Sequence, residues 1–199
     1  MIVLAVPDAR LRESYLAAHD EFVAAGEGHR DGDGLWVEEA DEGFAGVAFT
    51  RDELETPEGF ARFAAHRRGQ ADEDHPRPTG HVPCTFRWVV DDADPATYLG
   101  SLAVRHRLTP FLLDQGGHVG YSVRPSARRR GVATAALRAA LPLCAGLGID
   151  PVLVTCDEDN EGSRRTIVAS GGVLEDVRTG KERYWVPAGD PTDAPAALR

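Results

Sequence analysis

Arg128-Arg129-Arg130-Gly131-Val132-Ala133 is the stretch whose residue types and spacing point most directly to chemistry. It lies between a β-rich segment, Gly120-Tyr121-Ser122-Val123, and an Ala-rich helical run from Thr134 to Leu141. A short Arg/Gly loop that opens a helix suits a polyphosphate. The first N–H groups of a helix have no partner within it, and the macrodipole makes that end partly positive. Gly131 lets the backbone come close to an anion.

The chain has 199 residues and a formal net charge of −10, which argues against a nucleic-acid partner. Positive charge is local: Arg124, Arg128, Arg129 and Arg130 crowd the loop. Acids gather at Asp31, Asp33, Glu38, Glu39, Asp41 and Glu42, and again at Asp72, Glu73 and Asp74. These acids either solvate loops or face a cationic substrate such as a polyamine, an aminoglycoside or a basic peptide terminus. The three cysteines, Cys84, Cys144 and Cys156, form no Cys-x-x-Cys pair, so buried reduced thiols are expected and neither a metal site nor a disulfide framework. No apolar run reaches membrane-spanning length and no leader pattern opens the chain, so the expectation is a cytoplasmic protein with no membrane partner.

The elements that must position the loop follow from periodicity. Ile2 to Val6 reads as a strand, and Leu11, Tyr15, Leu16, His19, Phe22 and Val23 recur at helical spacing. A polar Gly/Asp segment runs from Gly26 to Gly34. Thr56-Pro57 predicts a helix start, with Thr56 as N-cap and Phe60, Phe63 and Ala64 on its apolar side. Val82 to Val90 and Tyr98 to Val104 form a hairpin around the turn Asp91 to Pro95. A helical turn at Pro110 to Leu113 precedes a strand from His118 to Val123. Then come a helix from about Arg130 to Ala145, a strand Val152 to Cys156, a helix from about Gly162 to Ser170, and strands Val173 to Val177 and Arg183 to Val186. Pro142 is expected to bend or shorten its helix unless the helix ends near Leu141. Antiparallel strands leading into a strand–helix–strand–helix–strand series predict an α+β (α/β-like) domain with a mixed sheet.

Arg128-x-x-Gly131-x-Ala133 is similar to the Arg/Gln-x-x-Gly-x-Gly/Ala signature of the GNAT acyltransferase superfamily. Tyr121-Ser122-Val123-Arg124-Pro125 resembles the fourth strand that leads into that loop. Val152-Leu153-Val154-Thr155-Cys156 with Asp159-Asn160-Glu161-Gly162-Ser163 resembles the fifth strand and the Asn-x-x-Ser/Ala helix start. The run from Leu102 through Gly116-Gly117-His118 to Tyr184-Trp185 also resembles a bacterial subgroup of predicted N-acetyltransferases. The resemblance covers about Cys84 to Val186 and implies a mixed, mostly antiparallel sheet of about six to seven strands flanked by helices, splayed at the fourth and fifth strands. It divides the chain into one domain, 1–188, and a loose tail, 189–199. Within the domain, 1–80 is a helical part that shapes the acceptor side and 81–188 is the core with the cofactor motifs.

What the resemblance implies is an acetyl-coenzyme A-dependent N-acetyltransferase. An acetyl or other acyl group passes to a primary amine of a small molecule or peptide by direct attack. Backbone groups near Tyr121 and Val123 would pair with the pantetheine arm and polarise the thioester carbonyl. The loop Arg128, Arg129, Arg130, Gly131, Val132, Ala133 and Thr134 would hold the pyrophosphate, with Asn160 and Ser163 on the next helix.

The family's usual Tyr, which protonates the leaving thiolate, is replaced by Ile167. Ser163 is a candidate substitute, unless it only caps its own helix, and an ordered water is another. For the general base the candidates are His118, Asp157 and Glu158, with His118 either a base or a structural histidine at a strand end. His106 is placed to pair with His118 across adjacent strands. Cys156 sits where a thioester would pass, either as an acyl carrier or as a small buried residue. Trp36, Phe44, Phe49 and Trp88 line the acceptor pocket or belong to the core. The alternative function is a catalytically weak coenzyme A-binding regulatory or interaction module, and a homodimer through an edge strand near the C-terminus is a further expectation.

Overall fold

The computed structural model describes residues 1–27 and 36–189, and the side chain of Trp36 is not among what it describes. Asp31 and Asp33, most of the Gly26 to Gly34 segment and the tail from 190 onward therefore lie outside the described residues. The strands are β1 (Ile2–Ala5), β2 (Trp36–Glu38), β3 (Val47–Phe49), β4 (Cys84–Asp91), β5 (Asp94–Arg105), β6 (Val119–Val123), β7 (Val152–Asp157), β8 (Val173–Arg178) and β9 (Lys181–Val186). The helices are α1 (Arg12–Ala24), α2 (Arg51–Glu55), α3 (Pro57–Gly69), α4 (Val132–Gly146) and α5 (Glu161–Ala169). Seven strands form one sheet in the order β1-β4-β5-β6-β7-β9-β8, and β2 and β3 pair separately. All neighbours in the large sheet are antiparallel except β6 and β7.

Local chemistry accounts for several boundaries. Thr56 accepts from the Gly59 N–H at 3.0 Å and Pro57 opens α3, as the sequence predicts. Thr50 and Glu53 close a reciprocal capping box on α2. The helix α4 runs through Pro142 to Gly146, contrary to the expected break. Pro142 removes one donor, but Val132, Ala136, Leu137, Ala140 and Cys144 stay buried at helical spacing along one face, and that packing outweighs a missing hydrogen bond. The expected helical turn at Pro110 to Leu113 is present and runs on as a π-type turn over Leu112–Gly116. The hairpin β2–β3 was not read from the sequence. Its strands have three residues each, too short for an alternation to show.

The sheet carries a core on each side. One is built from Leu102, Val104, Val119, Val152, Val154 and Tyr184 against Ala136, Leu137, Ala140 and Ile167 of α4 and α5. The other packs α1 and α3 against Trp88, Val90 and Tyr98, with Tyr15 ringed by Phe60, Phe63, Trp88 and Tyr98 at centroid distances of 4.9 to 5.5 Å. Phe49 and Trp88 are thus core aromatics, 2% exposed each, and Phe44 is buried as well. No helix among the described residues is long and apolar enough to cross a membrane.

Between β6 and β7 the sheet opens. Their register holds a single pair, Val119 with Val154. At the root of this fork His118 donates its backbone N–H to the Leu153 carbonyl at 2.7 Å, and the Leu153 N–H donates to His118 Nδ1 at 2.9 Å. Gly117 makes the approach possible. Its φ is +62°, and a Cβ there would stand 2.6 Å from the Leu153 carbonyl oxygen. Gly117→Ala is therefore expected to lower stability by about 1–3 kcal/mol, from the left-handed backbone and the backbone collision together. Urea denaturation of the variant checks this.

Candidate active site

The register of β5 with β6 decides what faces the opening. Arg105 donates its N–H to His118 O at 2.7 Å and Arg124 to Leu99 O at 2.8 Å, so alternate residues from His118 to Arg124 are bonded to β5. Val119, Tyr121 and Val123, lying between them, turn their N–H and C=O groups toward β7. Beyond Val119 they meet no strand there. The sequence-predicted pair Tyr121 and Val123 is thus on the open edge, although Val123 O also accepts from Arg128 Nε at 3.0 Å.

The Arg/Gly loop follows directly. Arg129 has φ 60° and Gly131 φ 77°, two left-handed residues separated by one. Such alternation turns successive N–H groups toward a common concavity, and here the concavity continues into the uncapped N-terminus of α4. A non-glycine residue held left-handed, as Arg129 is, marks a constrained loop. A cleft of about 950 Å³ runs from the fork to this loop. It is lined by Tyr121, Val123, Arg128, Arg129, Gly131, Val132, Ala133, Thr134, Asn160 and Ser163, with Asp157 at its inner end. Arg130, the remaining predicted loop residue, is exposed and outside that lining. The guanidinium of Arg128 is held by both oxygens of Glu27, at 2.8 and 2.7 Å, so its charge is already balanced and it anchors the loop to the end of α1.

Where the fork meets α5, the Tyr121 hydroxyl and Ser163 Oγ are 2.8 Å apart. Asn160 Oδ1 accepts from the Ser163 N–H at 3.0 Å, so Asn160 is the cap of α5 and the Ser163 hydroxyl is left for Tyr121. Burial pushes the Tyr121 phenol up to about 12, which keeps it protonated and a donor at neutral pH. Ile167 is fully buried in the core. Asp157 is ion-paired with Lys181 across β7 and β9. A second, smaller cavity of about 200 Å³ adjoins the cleft through Tyr121, Asp157, Asn160 and Ser163, and is completed by Arg105, Gln115, Thr155 and Lys181 among others.

The remaining candidates separate. His118 is buried and its Nδ1 is engaged as an acceptor from Leu153, an arrangement that needs the neutral ring. Burial, with the Arg105 cation nearby, holds its pKa down to about 4. His106 does not pair with His118; its Nε2 lies 2.8 Å from Thr85 Oγ1. The Cys156 thiol is pushed up to about 11 by burial and by Glu182, whose carboxylate it faces at 3.7 Å. That carboxylate also accepts from Arg164 Nε and from the Tyr184 hydroxyl, each at 2.8 Å. Glu158 lines neither cavity.

Sequence reasoning missed the Tyr121 hydroxyl, because Tyr121 was read for its backbone, and it missed Arg105 and Lys181, which come from other strands. The described acids of the two clusters line neither cavity. Glu38 is buried against Gln70 and His66, Asp41 accepts from the Thr79 N–H, and Glu73 pairs with Arg107.

A family model described as "Acetyltransferase (GNAT) domain" matches residues 47–173. Among curated proteins none matches. Solved structures that the fold is similar to include the microcin C7 self-immunity acetyltransferase MccE in complex with acetyl-CoA and AMP, at 12% identity over 94% of this chain and 92% of that one, TM-score 0.57. They also include Mycobacterium smegmatis RimJ in complex with CoA-disulfide, at 17% identity over 100% and 91%, TM-score 0.56. The ribosomal-protein-S5-alanine acetyltransferase from Vibrio fischeri is similar at 14% identity over 95% and 93%, TM-score 0.53.

The neutral His118 ring gives a pH dependence of definite sign. An unfolded histidine titrates near 6.5 and the folded one at about 4, so its contribution to stability is complete above about pH 6.5 and disappears as pH falls toward 4. In denaturation midpoints measured across that window, His118→Gln, whose amide oxygen still accepts from Leu153, is expected to show a shallower fall than the parent chain.

Proposed function

The chain belongs to the GNAT acetyltransferase family, and from that premise we propose that it is an acetyl-coenzyme A-dependent N-acetyltransferase acting on a primary amine of a small molecule or peptide. The observation that carries this reading is the continuity of the open β6 edge with the left-handed Arg129–Gly131 loop, one cleft that offers backbone donors and acceptors along an arm and N–H groups at its anionic end. Acetyl-CoA and coenzyme A accompany two similar folds, those of MccE and PaiA from Thermoplasma acidophilum, which supports the same ligand class here.

The thioester supplies an activated acyl carbon; the residues of this chain supply orientation and charge. The Tyr121 and Val123 backbone groups hold the arm along β6, and an N–H there donates to the carbonyl oxygen as negative charge develops. The N–H groups of the loop and of the first turn of α4 hold the pyrophosphate, with Arg129 adding charge. Attack by the neutral amine forms the C–N bond and breaks the C–S bond; the amine loses a proton and the thiolate gains one. A phenol near 12 does not readily surrender its proton to a thiolate of ordinary basicity near 8.5, so the Tyr121–Ser163 pair acts by hydrogen-bonding to the departing sulfur. Asp157, at the junction of the two cavities, is the group assigned to take the proton of an acceptor that arrives as an ammonium. We assign His118 to holding the fork, since its Nδ1 is engaged by the Leu153 N–H and its basicity is low. Cys156, a neutral thiol, is left out of the transfer. The alternative, a coenzyme A-binding module without turnover, is motivated by Ile167.

Acetyl-CoA at a hundred times its Kd is expected to stabilise the protein by about 2.7 kcal/mol, several degrees in melting temperature. Gly131→Val, which must adopt φ 77°, should abolish that shift; no shift in the parent chain removes the cofactor assignment. Steady, amine-dependent release of free thiol excludes the module reading. Tyr121→Phe should lower kcat roughly a hundred-fold with acetyl-CoA affinity unchanged, whereas Cys156→Ala should leave kcat within about two-fold, the standing of a residue outside the chemistry.

A further inference from the structure

The smaller cavity carries a charge that the fold does not balance. Arg105 ends β5 beside Gly120 of β6, where a Cβ would stand 3.4 Å from Nη1 and Nη2, so the absent side chain leaves the surface over which the guanidinium lies. Nη1 donates to Gly116 O at 2.8 Å and to Gly117 O at 3.3 Å, which pins the group at the cavity wall. Among the described residues Nε and Nη2 have no acceptor and no carboxylate lies within ion-pair distance. Four other arginines at or near the sheet are matched, Arg124 by Glu21, Arg128 by Glu27, Arg164 by Glu182 and Arg183 by Asp176, whereas Arg87 shares the lack of a carboxylate but lines neither cavity. A part-buried guanidinium without a counter-ion keeps its unmet donors for whatever enters.

Position gives the charge its meaning. By strand alternation and register Arg105, Gly120, Thr155, Asp157 and Lys181 share the sheet face opposite α5, whereas Tyr121, Cys156 and Ser163 are on the α5 side. The cavity is thus the far mouth of the fork, reached from the cleft past the Tyr121–Ser163 pair. Lys181 is already neutralised by Asp157, so the net charge of this trio is that of Arg105. The described acids of the two clusters line neither cavity, and Glu38, Asp41 and Glu73 are bonded to their own neighbours.

We propose that this cavity is an acceptor subsite for an amine that also bears a carboxylate, a small amino acid, with Arg105 taking the carboxylate and Asp157 facing the amine. The planar guanidinium offers two parallel N–H donors that match a carboxylate, and the amine is thereby set at the junction with the cofactor cleft. This rests on the acetyltransferase reading for the order of the two cavities, but its test does not depend on turnover.

The probes are free small amino acids, their carboxamides and the corresponding decarboxylated amines, titrated calorimetrically into the protein saturated with coenzyme A, with thiol release from acetyl-CoA measured in parallel. The acids are expected to bind at least ten-fold more tightly than the carboxamides and amines. Arg105→Gln should remove that preference while the melting shift with acetyl-CoA persists, and Arg105→Lys should restore part of it. Equal binding of acids and carboxamides by the parent chain overturns the inference without reference to any variant. So does a preference that survives in Arg105→Gln. Acid-selective binding without thiol release would uphold the subsite and remove the acetyltransferase reading instead.

Discussion

Everything in the site depends on one pairing that stops early. The strands β6 and β7 share a single registered pair, Val119 with Val154, while each is paired along its outer side, β6 with β5 and β7 with β9. A parallel pair that diverges leaves a row of backbone donors and acceptors facing a gap, and such groups need partners. In this protein a ligand-sized cleft takes the place of the missing rungs. His118 and Gly117 set where the divergence begins, one by replacing a carbonyl with an imidazole nitrogen and the other by letting the chain pass close to Leu153.

The N-terminal part holds the loop in place. Glu21 near the end of α1 receives Arg124 and both the N–H and hydroxyl of Ser126, and these bonds hold its carboxyl below the ordinary range although burial opposes them. Glu27 grips Arg128 with both oxygens. Two of the arginines that make the motif conspicuous are thus structural cations, which in the proposed reading leaves the anion to the backbone of Arg129 to Thr134. The motif is a conformation as much as a charge.

Ile167 and Tyr121 stand on different sides of the departure from the family pattern. The position that would carry a phenol is sealed in the core, while a phenol enters from the opposite wall of the fork on Tyr121 and meets the Ser163 hydroxyl. The far mouth, with Arg105 uncompensated and Lys181 matched by Asp157, is electrostatically distinct from the rest of an acidic chain. Net charge is therefore a poor guide to what this site accepts.

Most of the elements were legible because their causes are local. Thr56-Pro57 and Asn160 cap their helices through neighbours three residues away, Gly131 takes its left-handed backbone by its own residue type, and the sheet's alternation lies in consecutive side chains. Tertiary structure alone decided the rest: that His118 accepts from Leu153, that Tyr121 meets Ser163, that Arg128 belongs to Glu27, and that Arg105 stands in the mouth without a counter-ion among the described residues. Each of these contacts joins residues far apart in the chain, and no local propensity encodes which strands become neighbours or where two of them part.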